Sequence, residues 1–157
     1  FPLPGDIEAF VVTDEFGWML SQGAFVCGTE NVVVSAQFAG CCAALTDQEG
    51  LFLTTVSIAE EKKGSGPGMF FAGGFGSIKR HDIPPQKIFY VDTGMFFAAE
   101  KGTKLSISWP GSDLKAMCCS GEGLVMKFIG PCTVYTQSRD PSIFKSDTPN
   151  EQNGNAQ

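Results

Sequence analysis

The sequence has few of the residues with which enzymes and metalloproteins build their sites. His81 is the only histidine, and the six cysteines include no Cys-x-x-Cys pair, so the ligand spacing of a zinc site is absent. Asp82 follows His81 directly, but neighbours in a strand point to opposite faces, so the two residues form no catalytic dyad. No glycine-rich stretch continues into the Lys-Ser or Lys-Thr of a phosphate loop. The sequence therefore predicts a protein that is not an enzyme and uses no cofactor and no metal.

Positive charge is also scarce. The chain has 11 Lys and Arg against 17 Asp and Glu, which gives a net charge of −6. The one basic cluster, Lys79-Arg80-His81, is short and is followed by Asp82. Because proteins gain most of their non-specific affinity for nucleic acid by neutralising phosphates with Lys and Arg, this balance argues against a nucleic-acid partner.

Long hydrophobic runs are missing as well. No run reaches the roughly 18 apolar residues that a membrane-spanning helix needs, and the most apolar stretch, Met95-Phe96-Phe97-Ala98-Ala99, has the length of a strand. No charged start and apolar middle of a signal peptide is present. The sequence begins at Phe1 without a methionine, so we expect a processed form or a sequence that lacks its beginning.

The cysteines do not form the framework of a disulfide-rich secreted domain. Two pairs, Cys41-Cys42 and Cys118-Cys119, are adjacent in the sequence, and adjacent cysteines do not readily bridge each other. We predict that all six are reduced and behave as small buried apolar side chains in a reducing compartment, with a disulfide or a metal role as the alternative. The other two are Cys27 and Cys132.

What the sequence does contain is the pattern of an all-β protein. It has 19 Gly, 14 Phe and 43% hydrophobic residues, and in the segment from Lys104 the apolar residues Leu105, Ile107 and Trp109 alternate with polar ones. Such strands, separated by Gly, Pro, Asp and Ser, predict a single β domain over 1–144 and a polar, disordered tail over 145–157. Strands are predicted at 6–13, 24–27, 31–37, 51–57, 69–72, 77–81, 87–92, 95–99, 104–109, 124–129 and 133–137.

The domain carries an internal duplication. Gly5-Asp6-Ile7 recurs as Gly76-Ser77-Ile78, and Gly23-Ala24-Phe25 recurs as Gly94-Met95-Phe96, each 71 residues later. Two further matches have offsets of 73 and 64. Matched glycines imply matched turns, so we predict two repeats, about 5–75 and about 76–141, with the same strand order. The match with an offset of 73 is Glu49-Gly50-Leu51 with Glu122-Gly123-Leu124, and the match with an offset of 64 is Gly66-Pro67 with Gly130-Pro131.

Two phenylalanine doublets are candidates for a protein-docking surface. In an alternating strand, Phe70 and Phe71 cannot both point to one face, and the same holds for Phe96 and Phe97. One member of each doublet must cover a second layer, a partner or a membrane surface. A sandwich whose sheets are covered on both faces is the other explanation.

Several segments resemble the AIM24 family, also called DUF124, of TRAP-like proteins. Their order and spacing are more specific than any one of them, and the resemblance extends over about 5–141. It implies a TRAP-like β-sandwich or double-stranded β-helix. Family members usually carry three copies of the repeat, so we expect that the N-terminal copy is missing here. The segments are Glu49-Gly50-Leu51-Phe52-Leu53, Tyr90-Val91-Asp92-Thr93-Gly94, Gly121-Glu122-Gly123-Leu124, Phe128-Ile129-Gly130-Pro131 and Val134-Tyr135-Thr136-Gln137-Ser138-Arg139.

The resemblance also implies a class of function. The family has no agreed enzymatic activity, and its mitochondrial members associate with the inner membrane and support the organisation of membrane complexes. We therefore expect a structural or assembly subunit, peripheral to a respiratory or photosynthetic membrane complex in a mitochondrion or plastid, with the bacterial cytoplasm as the alternative location. Its partners would be protein subunits. The alternative function is a module that binds a small ligand in a cleft between the repeats.

Overall fold

The computed structural model describes residues 5–38, 52–108 and 125–141. In these ranges the chain is all-β, as predicted, with twelve strands and a single turn of 3₁₀ helix at Glu60–Lys62. The other predicted feature of the domain, the tail at 145–157, lies outside the described residues. The strands are β1 Ile7–Val12, β2 Trp18–Leu20, β3 Phe25–Gly28, β4 Val32–Phe38, β5 Phe52–Ile58, β6 Gly68–Gly73, β7 Ile78–Ile83, β8 Ile88–Asp92, β9 Phe96–Glu100, β10 Lys104–Ser108, β11 Val125–Ile129 and β12 Cys132–Gln137.

Every observed strand except β2 was predicted from the sequence. All three residues of β2 are buried, so this short strand shows none of the alternation between apolar and polar residues on which the prediction relied. Trp18 is held in place by its indole N–H, which donates a hydrogen bond of 2.9 Å to the carbonyl of Val11.

The strands form three antiparallel sheets. Two sheets have three strands each, in the orders β1-β6-β3 and β10-β11-β8, and the third has six strands in the order β4-β5-β2-β9-β12-β7. Within the described residues, no helix is long and apolar enough to cross a membrane.

The strand order is the same in the two halves of the chain, as the duplication predicts. In the first half β6 lies between β1 and β3, and β5 lies between β4 and β2. In the second half β12 lies between β7 and β9, and β11 lies between β10 and β8. One further pair, β2 with β9, joins the two halves.

The pairing registers match as well. Phe71 lies opposite Ala9 on one side and Cys27 on the other, and Tyr135 lies in the same way between Arg80 and Ala98. Tyr135 is therefore the counterpart of Phe71, at the offset of 64 that the Gly-Pro match indicates.

One offset taken from the sequence differs from the offset that the strand pairing gives. Val56 lies opposite Trp18, and Phe128 lies opposite Phe89, so Val56 and Phe128 are counterparts 72 residues apart. The glutamate-glycine-leucine match gives 73, and both of its segments lie outside the described residues. The burial pattern supports the pairing, because Val56 and Phe128 are both completely buried.

The apolar core has two parts, and each part takes side chains from both repeats. The first surrounds Phe10 and Phe70 of repeat one and includes Phe97 and Tyr135 of repeat two. The second surrounds Phe96 and Phe128 of repeat two and includes Met19 of repeat one. Burying one such side chain contributes about 1.5–3 kcal/mol. The shared core therefore stabilises the packing of the two repeats on each other.

One pair of turns is equivalent in the two repeats, and one backbone contact joins the repeats. The turn before β3 and the turn before β9 are equivalent: the Ala24 N–H donates to the Ser21 carbonyl, and the Met95 N–H donates to the Asp92 carbonyl. The start of β1 also contacts the start of β7, where Gly5 forms a parallel bridge with Gly76.

Candidate protein-docking surface

The outer face of the β1-β6-β3 sheet is apolar and exposed. Along β1, Phe10 and Val12 point into the core, while Ile7, Ala9 and Val11 alternate with them and point outward. Ile7 is the most exposed large apolar residue here, at 62%. Alternation therefore gives β1 two apolar faces, of which the core covers one.

The neighbouring strands continue this outer face. Val11 lies opposite Met69 on β6, and Phe71, the next outward residue of β6, lies opposite Cys27 on β3. A β-bulge at Val26 leaves both Val26 and Cys27 exposed. We call this set the apolar face, and it consists of Ile7, Ala9, Val11, Val26, Cys27, Met69 and Phe71.

The composition of the apolar face is that of a contact surface. It contains no charged side chain and no hydroxyl or amide group. Isolated apolar residues are normal on a protein surface, but a contiguous patch marks a site of interaction with a protein or a membrane. Three adjacent strands contribute to this patch, so it is contiguous.

The prediction that each phenylalanine doublet has an outward member is correct for one doublet only. Phe70 is completely buried and Phe71 is 39% exposed, as alternation requires. Phe96 and Phe97 are both buried, so the second doublet fits the other explanation, a sandwich whose sheets are covered on both faces. Because Phe70, Phe96 and Phe97 are buried, Phe71 is the one docking candidate of the four that is exposed.

The second doublet is buried because the core covers both sides of β9. A β-bulge lies at Phe97, since Tyr135 pairs with Ala98 and the next residue, Thr136, pairs with Phe96. Phe96 packs in the second part of the core and Phe97 in the first. Both rings therefore point into the protein, on opposite sides of the strand.

The sequence analysis missed most of the apolar face, although a signal was present. Ala9 to Val12 and Met69 to Ala72 are continuous apolar runs, and such runs are typical of strands with both faces covered. Ile7, Val11 and Met69 could have been found in this way. Val26 could not, because its outward position depends on the bulge.

In repeat two the counterparts of three residues of the apolar face are buried in the core, whereas Arg80 and Asp82, the counterparts of Ala9 and Val11, are exposed. Tyr135, Phe97 and Ala98 are the counterparts of Phe71, Val26 and Cys27, and all three lie in the first part of the core. The Tyr135 ring centroid lies 5.1 Å from that of Phe10 and 5.7 Å from that of Trp18. Burial raises the pKa of the Tyr135 hydroxyl.

The adjacent residues Arg80, His81 and Asp82 of β7 have different hydrogen-bond partners. Asp82 accepts from Arg80 at 2.9 Å, and this hydrogen bond lowers the pKa of Asp82 and raises that of Arg80. His81 has different partners: its Nε2 lies 2.9 Å from the Thr136 hydroxyl, and its ring centroid lies 4.8 Å from that of Phe89. Partial burial, and to a smaller extent Lys79, lowers the pKa of His81. His81 and Asp82 therefore have different partners and do not form a dyad with each other, as predicted.

The two cysteines in the described part of the chain differ in burial. Cys132 is buried, which raises its pKa, whereas Cys27 is exposed on the apolar face, so the prediction of a buried side chain is wrong for Cys27. The bulge at Val26 accounts for this exposure. Within the same part of the chain, no group of His, Cys, Asp and Glu side chains could hold a metal ion. Cys41, Cys42, Cys118 and Cys119 lie outside the described residues.

A cleft of about 380 Å³ lies between the repeats. The equivalent turns at Gly23 and Gly94 both contribute to its wall, with Phe52 and Phe96 as the aromatic part. Gln137, only 4% exposed, is its main buried polar group. The Gln137 amide donates to the Gly94 carbonyl at 2.9 Å and accepts from the Phe75 N–H at 3.0 Å, so it already has partners within the protein.

Comparisons with known proteins agree with this fold. The model of a family described as "Mitochondrial biogenesis AIM24" matches residues 1–139. A protein of Streptococcus pyogenes solved by X-ray crystallography has a similar structure, with a TM-score of 0.71 and 24% sequence identity. The match covers 92% of this chain, which spans 59% of the length of the bacterial protein. No curated protein matches the sequence.

Proposed function

Because the chain belongs to the AIM24 family, which is linked to mitochondrial biogenesis, we propose that it is a non-enzymatic structural or assembly subunit of a membrane protein complex. It binds other protein subunits and is peripheral to the membrane. The complex is a respiratory or photosynthetic one in a mitochondrion or plastid. The structural similarity to a bacterial protein is the argument for the alternative location, a bacterial cytoplasm.

The observation that carries this proposal is the exposed apolar face on the β1-β6-β3 sheet. Its aromatic ring, Phe71, is 39% exposed and lies beside Met69 on the same strand and opposite Cys27. Burying such a ring at an interface is worth about 1.5–3 kcal/mol, whereas an exposed ion pair contributes about 0–1 kcal/mol. The face therefore supplies the energy of a docking contact.

The electrostatics favour a protein over a lipid surface as the direct partner. Peripheral proteins that bind anionic lipids use clusters of Lys and Arg, each worth about 1 kcal/mol. The apolar face carries neither residue, and the chain has a net charge of −6. Membrane association then comes through the protein complex.

The test is to purify the tagged, full-length protein from organelle membranes in mild detergent and to identify the subunits that remain bound. Phe71→Ser should reduce their recovery at least about 10-fold, because a tenfold change corresponds to ~1.4 kcal/mol and burying the ring is worth about 1.5 kcal/mol or more. The control reverses the exposed charges of the 3₁₀ turn with Glu60→Lys and Lys62→Glu, which should change recovery little. If the charge reversals abolish association and Phe71→Ser does not, the proposal is wrong.

The cleft between the repeats favours a second candidate, a small-ligand-binding module. Its volume is within the range of ligand pockets and its wall is mainly apolar, with Gln137 as a polar group that could fix an orientation. Native mass spectrometry of the purified protein should then detect a bound small molecule. Thr93→Trp, which fills the mouth of the cleft, should remove it while Phe71→Ser does not. Protein without added mass would exclude this function.

A further inference from the structure

We propose that Ser65 is a phosphorylation site for a serine kinase that selects basic residues ahead of its target, and that the phosphate releases the loop at 59–67 from the turns that hold it. Repeat one carries this loop between β5 and β6, whereas the counterpart between β11 and β12 consists of Gly130 and Pro131 only. The inference goes beyond the proposed function and does not rest on it.

The sequence around Ser65 is the first part of the argument. The chain has two pairs of adjacent Lys or Arg residues, Lys62-Lys63 and Lys79-Arg80, and only the first is followed two positions later by a serine. The second is followed at the same distance by Asp82. Kinases select their substrates by charge patterns, and a kinase with an acidic substrate cleft takes serines that have basic residues two and three positions before them. Lys62-Lys63 occupies these two positions before Ser65.

The structure makes this serine accessible. Ser65 is exposed and lies outside the strands, so no strand pairing has to break for its segment to enter a kinase cleft. Gly64 and Gly66 flank it with φ angles of +83° and +97°, and a Cβ atom at either position would have no other atom within 4 Å. Glycine backbone with open space around it changes conformation at little cost. The segment can therefore take up the extended form in which kinases bind a substrate.

A small number of polar contacts holds the loop at one end of repeat one. The Gly64 N–H donates to the Asp14 carboxylate at 3.0 Å, which binds the loop to the turn before β2. The Asn31 amide donates to the Gly66 carbonyl at 3.2 Å and to the Ser65 hydroxyl at 3.4 Å, which binds the loop to the turn before β4. Ser65 thus lies between two contacts that fix the position of the loop.

Both lysines ahead of Ser65 are already paired with glutamates. Lys62 Nζ lies 3.4 Å from the Glu30 carboxylate, and Lys63 Nζ lies 2.7 Å from the Glu60 carboxylate. A phosphate on Ser65 brings a charge of about −1.5 to −2 into this group. It competes with both glutamates for the lysines, so it weakens the ion pair that joins the loop to the turn before β4.

The same phosphate acts on the contact with the turn before β2. It repels the Asp14 carboxylate, which holds the loop through the N–H of Gly64, the residue next to Ser65. Like charges this close destabilise the contact between them. Phosphorylation therefore loosens the loop from both turns, while the core contains none of these residues and stays intact.

The reaction is a phosphoryl transfer from ATP. The Ser65 hydroxyl oxygen attacks the γ-phosphorus, and a new oxygen–phosphorus bond forms as the bond to the bridging oxygen breaks. ADP leaves with that electron pair, and the hydroxyl proton passes to the catalytic aspartate of the kinase. The kinase supplies the catalytic groups, so this chain provides only an accessible hydroxyl and the two basic residues ahead of it.

Phosphorylation of the full-length chain tests the site. The probe is the catalytic subunit of cyclic-AMP-dependent protein kinase with magnesium and ATP, because this kinase selects basic residues two and three positions before serine. Mass spectrometry should place the phosphate at Ser65, and total incorporation should fall at least about 10-fold in Ser65→Ala. Lys62→Gln combined with Lys63→Gln should slow the transfer by a similar factor. The matched control, Lys79→Gln combined with Arg80→Gln, removes the other exposed basic pair and should leave the rate unchanged.

A second measurement tests the release of the loop. Amide hydrogen exchange at 59–66 should be at least about 10-fold faster in the phosphorylated chain than in the unmodified chain, and exchange in β5 should stay the same. Ser65→Glu adds a smaller negative charge and should have part of this effect. Ser65→Asn adds no charge and should have none.

The outcomes separate the parts of the inference. Transfer that misses Ser65, or that does not depend on Lys62 and Lys63, would overturn the assignment of the site, and equal exchange with and without the phosphate would overturn the release of the loop. Peptides spanning 59–68 of the chain isolated from its own cells with phosphatases inhibited should carry the phosphate, and unmodified peptides alone would overturn the proposal. None of these results depends on Phe71, so the proposed function stands or fails separately.

Discussion

Phe71 and Tyr135 occupy equivalent positions in the two repeats, yet Tyr135 is buried against Phe10 and Trp18 while Phe71 is exposed. The strand pairing around the two residues is the same, so their local structure does not explain the difference. It arises because repeat two has repeat one to pack against, whereas no described residue packs in the same way on the outer face of repeat one. An interface inside the protein thus has an exposed counterpart on its surface.

The Phe70–Phe71 doublet provides the most direct test of this description. Phe70→Ser should lower the free energy of unfolding by about 3–5 kcal/mol, since it removes a completely buried ring and puts a hydroxyl in its place. Phe71→Ser should change it by less than about 1 kcal/mol. Urea denaturation followed by tryptophan fluorescence measures both values. Equal losses would contradict the assignment of inner and outer faces.

A second prediction concerns the buried amide of Gln137. Gln137→Met keeps the length of the side chain but leaves the Phe75 N–H and the Gly94 carbonyl without this hydrogen-bond partner. Because an unpaired buried polar group costs about 1–3 kcal/mol, we expect a loss of about 2–4 kcal/mol in the free energy of unfolding. Gln22 is exposed in the turn at Gly23, which is the equivalent of the Gly94 turn that Gln137 contacts. Gln22→Met makes the same substitution there and should be nearly neutral. If the two variants are equally stable, Gln137 does not hold these backbone groups.

The sequence was sufficient for every described strand except β2, and its repeated motifs matched turns that the structure shows to be equivalent. Alternation located β10, where Leu105 and Ile107 share a face, and repeated glycines located the equivalent turns at Gly23 and Gly94. Both signals can be read from the sequence without knowledge of the packing. The sequence also led to the correct family, because several weak motifs occur in the right order.

The docking surface was harder to predict because it depends on pairing between distant strands. Phe70-Phe71 and Phe96-Phe97 are the same in sequence, but the core covers both sides of β9 and only one side of β6. A bulge changes the face to which each following residue points, and no local pattern distinguishes it from regular strand. The exposure of Cys27 depends on the equivalent bulge in β3. Side-chain direction at these positions therefore required the three-dimensional structure.

A third prediction tests the seam between the repeats at Gly5. A Cβ atom at this position would meet the Gly76 carbonyl oxygen at 2.7 Å and would come closer still to other backbone atoms of Gly74 and Gly76. Backbone cannot move aside as a flexible side chain can, so Gly5→Ala should cost about 1–3 kcal/mol. The expected site of the damage is the start of β1 and β7, where amide hydrogen exchange should accelerate.

Gly23→Ala is the comparison for this variant. Gly23 has a φ of +80°, and a Cβ atom there would have no other atom within 4 Å, so alanine meets backbone strain of about 1 kcal/mol and no clash. Its effect on exchange should be confined to the turn before β3. Faster exchange at β1 and β7 in Gly23→Ala, or none in Gly5→Ala, would show that Gly5 is not a contact point between the repeats.

The last prediction concerns pH and His81. Partial burial, with the nearby Lys79, lowers the pKa of His81 in the folded protein below the usual value of 6.5. Protonation is therefore easier in the unfolded chain, so the stabilising effect of neutral His81 is complete above pH 6.5 and is lost as the pH falls through the folded-state pKa. The melting temperature of wild-type protein should drop when the pH falls from about 7.5 to about 5, and the melting temperature of His81→Gln should drop by less. The carboxylates titrate in the same way in both proteins, so the difference between the two drops reports on His81. Lys79→Gln removes the smaller of the two causes and should reduce the drop only in part. A difference between wild type and His81→Gln that stays constant over this range, or that grows in favour of wild type as the pH falls, would contradict the lowered pKa.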